Sequence, residues 1–335
     1  MEATLHQKCT WLRQHRGKIL LQRAKQKNRI YQLFRAKESE RFLLCRPKGG
    51  LNDCLFQIYE TLIHAIRSNR KLIIDTKNWG LCDEFSNYFE TILPFSNIET
   101  ALTTQLGERL NKESCYPRSF KGMLDSYKLD FSKQISNFVN RESAERPCII
   151  SPDPPETVLL HDQCGGGLAY LALPYFRLTP DAASSITKKL ATLPKNYKAI
   201  HLRSSDARLD VKQFLYQAKP LLQGSEILVC TDSQDAFKDS VVILNNSTIH
   251  QISPVPNIEK GQRLHDNPIH TNRDTNLHSI ADIIGLANAK EIIFPSGPDI
   301  FRSGFTELAT ELSSRDYLLR QLLGKENWRR IKGSH

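Results

Sequence analysis

Long hydrophobic runs are missing from this 335-residue chain. No stretch approaches the eighteen or so uninterrupted apolar residues that a bilayer span needs, which excludes a membrane-crossing helix. The first residues lack an apolar h-region and a small-residue cleavage site, because charges recur closely from Lys8 onward. The expected compartment is therefore cytoplasmic. Eight cysteines are present, but no two form a C-x-x-C pair, so neither a zinc site nor a dithiol redox motif is expected. Cys45 and Cys230 fall inside apolar, strand-like runs, where a free thiol serves as a small core residue, and reduced thiols suit the cytosol. Internal repeats and low-complexity tracts are also absent, which excludes solenoids and disordered scaffolds. What remains is an ordinary globular balance, 40% hydrophobic and 24% charged, at a length suited to two domains.

Basic charge is the feature present in excess. The 46 Lys and Arg against 36 Asp and Glu give a formal net charge of +10. Ten of those bases and three acids lie in the first 40 positions, so this stretch carries +7 and the rest of the chain only +3. With no proline, one glycine and apolar residues such as Trp11, Leu12, Ile19, Leu20 and Phe34 among the bases, residues 1–41 read as a basic helical extension. Two readings stay open for it: a solvated helix packed loosely on the body, or a peripheral anchor to anionic lipid head groups or a partner surface through residues 1–40. Nucleic acid is not expected as a partner, since neither interleaved aromatics nor a recognition motif accompanies the charges.

From residue 42 the texture alternates. Residues 42–45 form a short apolar strand, 47–50 a glycine turn, 52–67 an amphipathic helix and 72–75 a second strand, which is the βαβ unit of a parallel sheet. Residues 97–147 are less regular, and 148–150 and 158–160 read as later strands of that sheet. A break at 161–167 reads as a hinge. A second alternating half follows, with helices over 180–193, 211–222, 235–239, 277–289 and 305 onward. Its strands are expected at 197–202, 226–231, 241–244, 248–252 and 291–295. The expected architecture is α/β: two doubly wound halves, 42–176 and 177–335, each with its own core and with ligands at the carboxyl ends of the strands.

Polar groups gather where those strands end. Residues 199–203 run through His201 and Arg203 into Ser204, Ser205 and Asp206, and an arginine there can fork onto a phosphate. Residues 231–233, Thr-Asp-Ser, follow the next strand and can equally be a helix N-cap. Ser303, Gly304 and Phe305 open the last long helix, where free amides can meet an anion. The turn Gly49-Gly50-Leu51-Asn52 can face all three from the first half. Each piece alone also has a plain structural reading, as a strand-end ion pair or a cap, and only the conjunction is specific.

In order and separation, G-G-L-N-D at 49–53, H-L-R-S-S-D at 201–206, T-D-S at 231–233, D-I-I-G-L-A at 282–287 and S-G-F-T-E-L-A-T-E at 303–311 resemble the GT-B fucosyltransferases that use GDP-fucose. The resemblance covers roughly residues 42–90 and 158–320. It implies a GT-B fold of two Rossmann-like domains, with the acceptor on the first and the nucleotide-sugar on the second. It also implies an inverting, metal-independent transfer of L-fucose from GDP-fucose to a hydroxyl of a glycan or glycolipid, with no cofactor. By position, Arg203 matches the arginine on the β-phosphate and His201 a histidine near the guanosine. Asp282 matches an acid that accepts from the guanine edge. Ser303, Gly304 and Phe305 match the phosphate-binding helix start, and Asn52, with Gly49 and Gly50, the first glycine loop. Thr231 and Asp232 match a segment read as structural. Ser204 follows Arg203 where core-type members carry a second arginine, and only Asp206 and Asp210 stand where the family base is sought, with Asp210 the expected base and Asp206 a holder of the loop. No Asp-x-Asp occurs, so metal-binding by such a pair is not expected. Two other functions fit the same residues: a GT-B enzyme using another sugar nucleotide in capsule or lipopolysaccharide synthesis, and a non-catalytic nucleotide- or glycan-binding relative.

Overall fold

The computed structural model describes residues 40–78, 80–92, 97–124, 153–161, 166–204, 209–256, 271–295 and 303–333. Residues 1–39 of the expected basic extension 1–41, the expected strand at 148–150 and residues 162–165 of the expected hinge at 161–167 lie outside them.

Strand β1 (Phe42–Cys45) is apolar at every position and buried at every position. Such a strand belongs inside a parallel sheet covered on both faces. It pairs in parallel with β2 (Lys71–Ile74) on one side and β6 (Val158–His161) on the other. With β4 (Ile98–Glu99) and β5 (Cys115–Tyr116) outermost, the order is β4-β2-β1-β6-β5. Between β1 and β2 runs α1 (Leu51–Ser68), whose Leu55, Ile58, Leu62 and Ala65 form a buried stripe at helical spacing. It stops at Asn69, which takes a left-handed conformation (φ 51°) and turns its amide back to the carbonyls of Ala65 and Ile66. The loop leaving β1 is fastened by polar contacts. Gln57 of α1 donates to the Lys48 carbonyl (2.7 Å) and accepts from its amide (3.1 Å), while buried Arg46 pairs with Asp75 at the end of β2 (2.8 Å).

The second sheet has the order β10-β9-β8-β11, all parallel, formed by β8 (Lys198–Leu202), β9 (Glu226–Thr231), β10 (Thr248–His250) and β11 (Glu291–Ile293). A short antiparallel pair, β3 (Phe89–Thr91) with β7 (Phe176–Leu178), lies apart from both sheets. The remaining helices are α2 (Thr104–Lys112), α3 (Pro180–Leu190), α4 (Val211–Leu222), α5 (Gln234–Ile243), α6 (Arg273–Asn288), α7 (Gly304–Ser314), α8 (Asp316–Leu323) and α9 (Lys325–Lys332).

Three expectations change. Residues 241–244 do not form a strand, because Ser233 caps α5 (its Oγ accepts from the Ala236 amide) and the helix runs to Ile243. The β-branched pair Val241 and Val242 lies on its exposed side. The halves also do not keep separate cores. Alternate residues of β1 face opposite ways, as a two-residue period requires: Phe42 and Leu44 join an outer cluster, whereas Leu43 and Cys45 join an inner one. In the second sheet Ile200 and Val229 point outward, and Ala199, Leu228 and Cys230 point inward. Both inner faces feed one continuous apolar cluster. The reason is the chain after residue 303, read as one long helix, which instead breaks at Arg315 and Gly324. Its first piece, α7, packs on both α1 and α6, and α8 packs on β7. Each fully buried Leu or Ile in this cluster stabilises the fold by about 1.5–3 kcal/mol, so the cluster binds the halves as it forms the core.

Candidate functional site

The carboxyl ends of β1, β8 and β9 and the starts of α1, α6 and α7 surround one cavity of about 560 Å³. This is where doubly wound sheets collect ligands, and the residues at its two ends differ in chemistry.

At one end the starts of two helices meet. Ser303 precedes α7 without folding its hydroxyl back as a cap, so the first amides of that helix keep no side-chain acceptor. Its Oγ is buried and has no hydrogen-bond partner among the described residues. Gly50 precedes α1, again with no side-chain cap, and the buried Oδ1 of Asn52 in its first turn also lacks a partner among the described residues. The two starts approach so closely that a Cβ on Gly304 would sit 2.6 Å from Asn52 Nδ2. Glycine is required there for space. Gly49, by contrast, is required for conformation, since its φ of +94° lies where other residues are strained. Two helix N-termini with open amides, two buried unpaired oxygens and the lining side chain of Arg203 make a pole suited to an anion. The loop after β8 is held by Asp232, whose Oδ1 accepts from the Ser204 amide (2.8 Å).

His201 links β8 to α7. Its Nδ1 lies 2.6 Å from Thr306 Oγ1, and its ring stacks on Phe305 with centroids 4.9 Å apart and planes at 17°. Burial, aided by the charge of Arg203, lowers its pKa to about 4, so the imidazole is neutral at pH 7. A neutral ring can present a donor or an acceptor without adding charge.

The other end is narrower in chemistry. Asp282 of α6 lines the cavity, and burial pushes its pKa up to about 7, partly offset by a hydrogen bond from Ser253. Pro254, Val255 and Pro256 form an adjacent wall without charge. A half-buried carboxylate beside apolar walls suits a flat ring that offers N–H donors on one edge. Between the poles, Asn276 of α6 crosses to the first half, donating to the Leu81 carbonyl (2.7 Å) and to the Tyr88 hydroxyl (3.0 Å), which itself donates to Asp83 (2.6 Å).

The structure therefore brings Gly50, Asn52, His201, Arg203, Asp282, Ser303, Gly304 and Phe305 to one cavity. Gly49 shapes the turn and is not among the lining residues. Asp210, expected as a base, is exposed at the N-cap of α4, where its Oδ1 accepts from the Gln213 amide (3.0 Å), and it does not line the cavity. Asp206 lies outside the described residues. Thr231 and Asp232, read as structural, line the cavity, and Asp232 also holds the loop. Sequence reasoning missed Asp53, Tyr88, Asn276 and the 253–256 wall. Only the S-P-V-P stretch, a turn signal following a strand, offered a hint of the last.

No protein-family model matches the chain, and no curated protein matches it. Solved structures do. Fucosyltransferase NodZ from Bradyrhizobium superposes with a TM-score of 0.54 at 17% identity, over 82% of this chain and 93% of that one. NodZ alpha-1,6-fucosyltransferase soaked with GDP-fucose gives 0.52 at 17% identity, over 81% and 92%. The same enzyme co-crystallised with GDP gives 0.52 at 18%, over 82% and 92%. The chain has the two-sheet GT-B fold of these proteins.

Proposed function

We propose that this protein is a glycosyltransferase that moves L-fucose from GDP-fucose to a hydroxyl of a glycan or glycolipid. The observation that carries the reading is the anion-suited pole, where α1, α7 and Arg203 converge, joined through one cavity to a half-buried carboxylate at Asp282. The likeness of fold to proteins crystallised with GDP and GDP-fucose supports the choice of donor.

In this reading the diphosphate lies at the starts of α7 and α1, and guanine lies against Asp282. The carboxylate accepts from two N–H groups on one edge of guanine, whereas uracil offers one. As the bond between the anomeric carbon and the β-phosphate oxygen breaks, negative charge grows on the diphosphate. Arg203 and the amides of α7 stabilise it most when it is fully developed, so they lower the barrier more than they strengthen donor binding. The acceptor approaches from the first half and attacks opposite the leaving group, a single displacement with inversion. Arginine and helix amides supply the positive charge, with no divalent ion in the scheme. The excess of base in residues 1–40 supports a site of action at the cytosolic face of an anionic membrane, where lipid-linked acceptors lie.

Thermal melting with GDP, UDP, CMP and ADP tests the donor, because a ligand that binds only the folded state raises its stability by mass action. A shift with GDP alone is expected. A shift with another nucleotide alone would keep the fold and move the activity to a different sugar donor. Release of fucose from GDP-fucose in the presence of EDTA, with proton NMR of the sugar's anomeric centre, reads catalysis, ion dependence and stereochemistry together. Bound GDP without any turnover would point to a non-catalytic binding protein.

A further inference from the structure

A displacement of this kind needs a base on the acceptor side, and of the two acids expected from the sequence Asp210 caps α4 away from the cavity while Asp206 lies outside the described residues. Among the described residues four carboxylates line the cavity: Asp53, Asp232, Asp274 and Asp282. Asp232 is engaged by the Ser204 amide. Asp282 stands half-buried at the opposite end of the cavity, and Asp274 stands in the first turn of the same helix, α6. Asp53 alone comes from the first half.

Its setting is specific. Asp53 follows Asn52 in the first turn of α1, and its carboxylate folds back over two glycines. A Cβ on Gly49 would lie 2.5 Å from Oδ2, and one on Gly166 would overlap Oδ1. Asn52 Nδ2 is wedged between Gly166 and Gly304, 3.1 and 2.6 Å from where their Cβ atoms would be. The start of α7, the Asn52 amide, Gly166 and Asp53 Oδ1 thus form one contiguous row. The carboxylate stands a single side chain away from the anion-suited pole, with space left for it by the missing Cβ atoms. An acid in a first turn also complements the helix dipole, but that role requires no such clearance.

We propose that Asp53 is the general base, an assignment that rests on the transferase reading. The acceptor O–H bond breaks and its proton passes to Asp53 Oδ1. The oxygen lone pair forms the new bond to the anomeric carbon, and the old carbon–oxygen bond leaves with its electrons on the β-phosphate of GDP. Asp53, now a carboxylic acid, returns the proton to water.

The experiment uses the full chain, with GDP-fucose as donor and water as the accepting hydroxyl, beside calorimetry with GDP. Asp53→Asn should lower the rate of fucose release about a hundredfold or more, while the GDP dissociation constant stays within about threefold. The acidic limb of the pH–rate profile should disappear in this variant. In Asp53→Ala, added formate should restore release, which a merely structural acid would not permit. Release by Asp53→Asn at the wild-type rate would overturn the assignment, as would loss of GDP binding in proportion to loss of rate. If the wild type neither binds GDP nor cleaves GDP-fucose, the transferase reading itself fails; wild-type cleavage with an undiminished Asp53→Asn removes only the role of Asp53.

Discussion

The two sheet edges that face the cavity line it by different means. The first half contributes shape: a glycine turn at 49–50, an uncapped helix start, and a small residue at 166, which together with Gly304 of the second half lets side chains and backbone come within contact distance. The second half contributes charge and its control: Arg203 at the end of β8, a neutral His201 pinned to Thr306, and a half-buried carboxyl at 282. A steric edge fails when atoms are added, and an electrostatic edge fails when they are removed. Substitutions of opposite kinds should therefore be harmful on the two sides.

The largest effect is expected on the charged side. Arg203→Ala should lower turnover of GDP-fucose by about 10²–10³, the loss found when one stabiliser of developing charge is deleted. Melting should change little, because Arg203 is only half-buried at a strand end. Unchanged turnover would remove the electrostatic half of the contrast. Next comes the steric side. Gly304→Ala adds a Cβ that would lie 2.6 Å from Asn52 Nδ2, and overpacking of this kind costs about 1–3 kcal/mol, read by chemical denaturation. Asn52→Ala in the same chain should recover part of that loss by opening the space, and a double-mutant cycle measures the coupling. Smaller again is the effect of pH on donor affinity. Asp282 titrates near 7 in the free protein, and guanine N–H donors favour its ionised form. Binding should then expel a proton below pH 7, and the GDP dissociation constant should rise about tenfold per unit as pH falls further. Without ligand the sign is reversed. The raised pKa means that the folded state holds the proton more tightly than the unfolded one, so stability should fall as pH climbs from about 4 to 7 and Asp282→Asn should flatten that slope. A GDP affinity independent of pH in calorimetry would separate Asp282 from the ring.

Much of the second half's contribution was legible in the sequence, because charge chemistry is carried by residue type. An arginine, a histidine and an aspartate at the ends of apolar runs identify themselves, and α4 and β9 fall on their expected residues, 211–222 and 226–231. The shape contributed by the first half was less legible. Nothing in G-G-L-N-D discloses that Asn52 would press against Gly304, some 250 positions away, or that the Asp53 carboxylate would fit over Gly166. Those are properties of helix approach, which the crossing of α7 onto α1 sets. The same crossing explains why two separate cores were expected and one continuous cluster is found, since local periodicity says that a helix has a buried face but not which half covers it. Residues 241–244 were misassigned for a simpler reason: β-branched residues favour strands in isolation, and here the Ser233 cap and the burial of Ala236, Ser240 and Ile243 override that preference.

Asp210 gives the smallest and most discriminating test, because its residue type suits catalysis and its position does not. It stands exposed ahead of α4, with its carboxylate accepting the Gln213 amide. Replacing such a cap by alanine costs about 1 kcal/mol of stability, since the amide it satisfied turns to water and the first turn of the helix loosens. Asp210→Ala should show that loss in denaturation while cleaving GDP-fucose at the wild-type rate. The comparison with Arg203→Ala is direct, for both residues follow β8 and the one further along the chain leaves the cavity to cap a helix. A loss of turnover in Asp210→Ala as large as that in Arg203→Ala, with GDP still bound, would return Asp210 to the site. The base would then come from the second half, and the assignment of that role to Asp53 in the first half would fall.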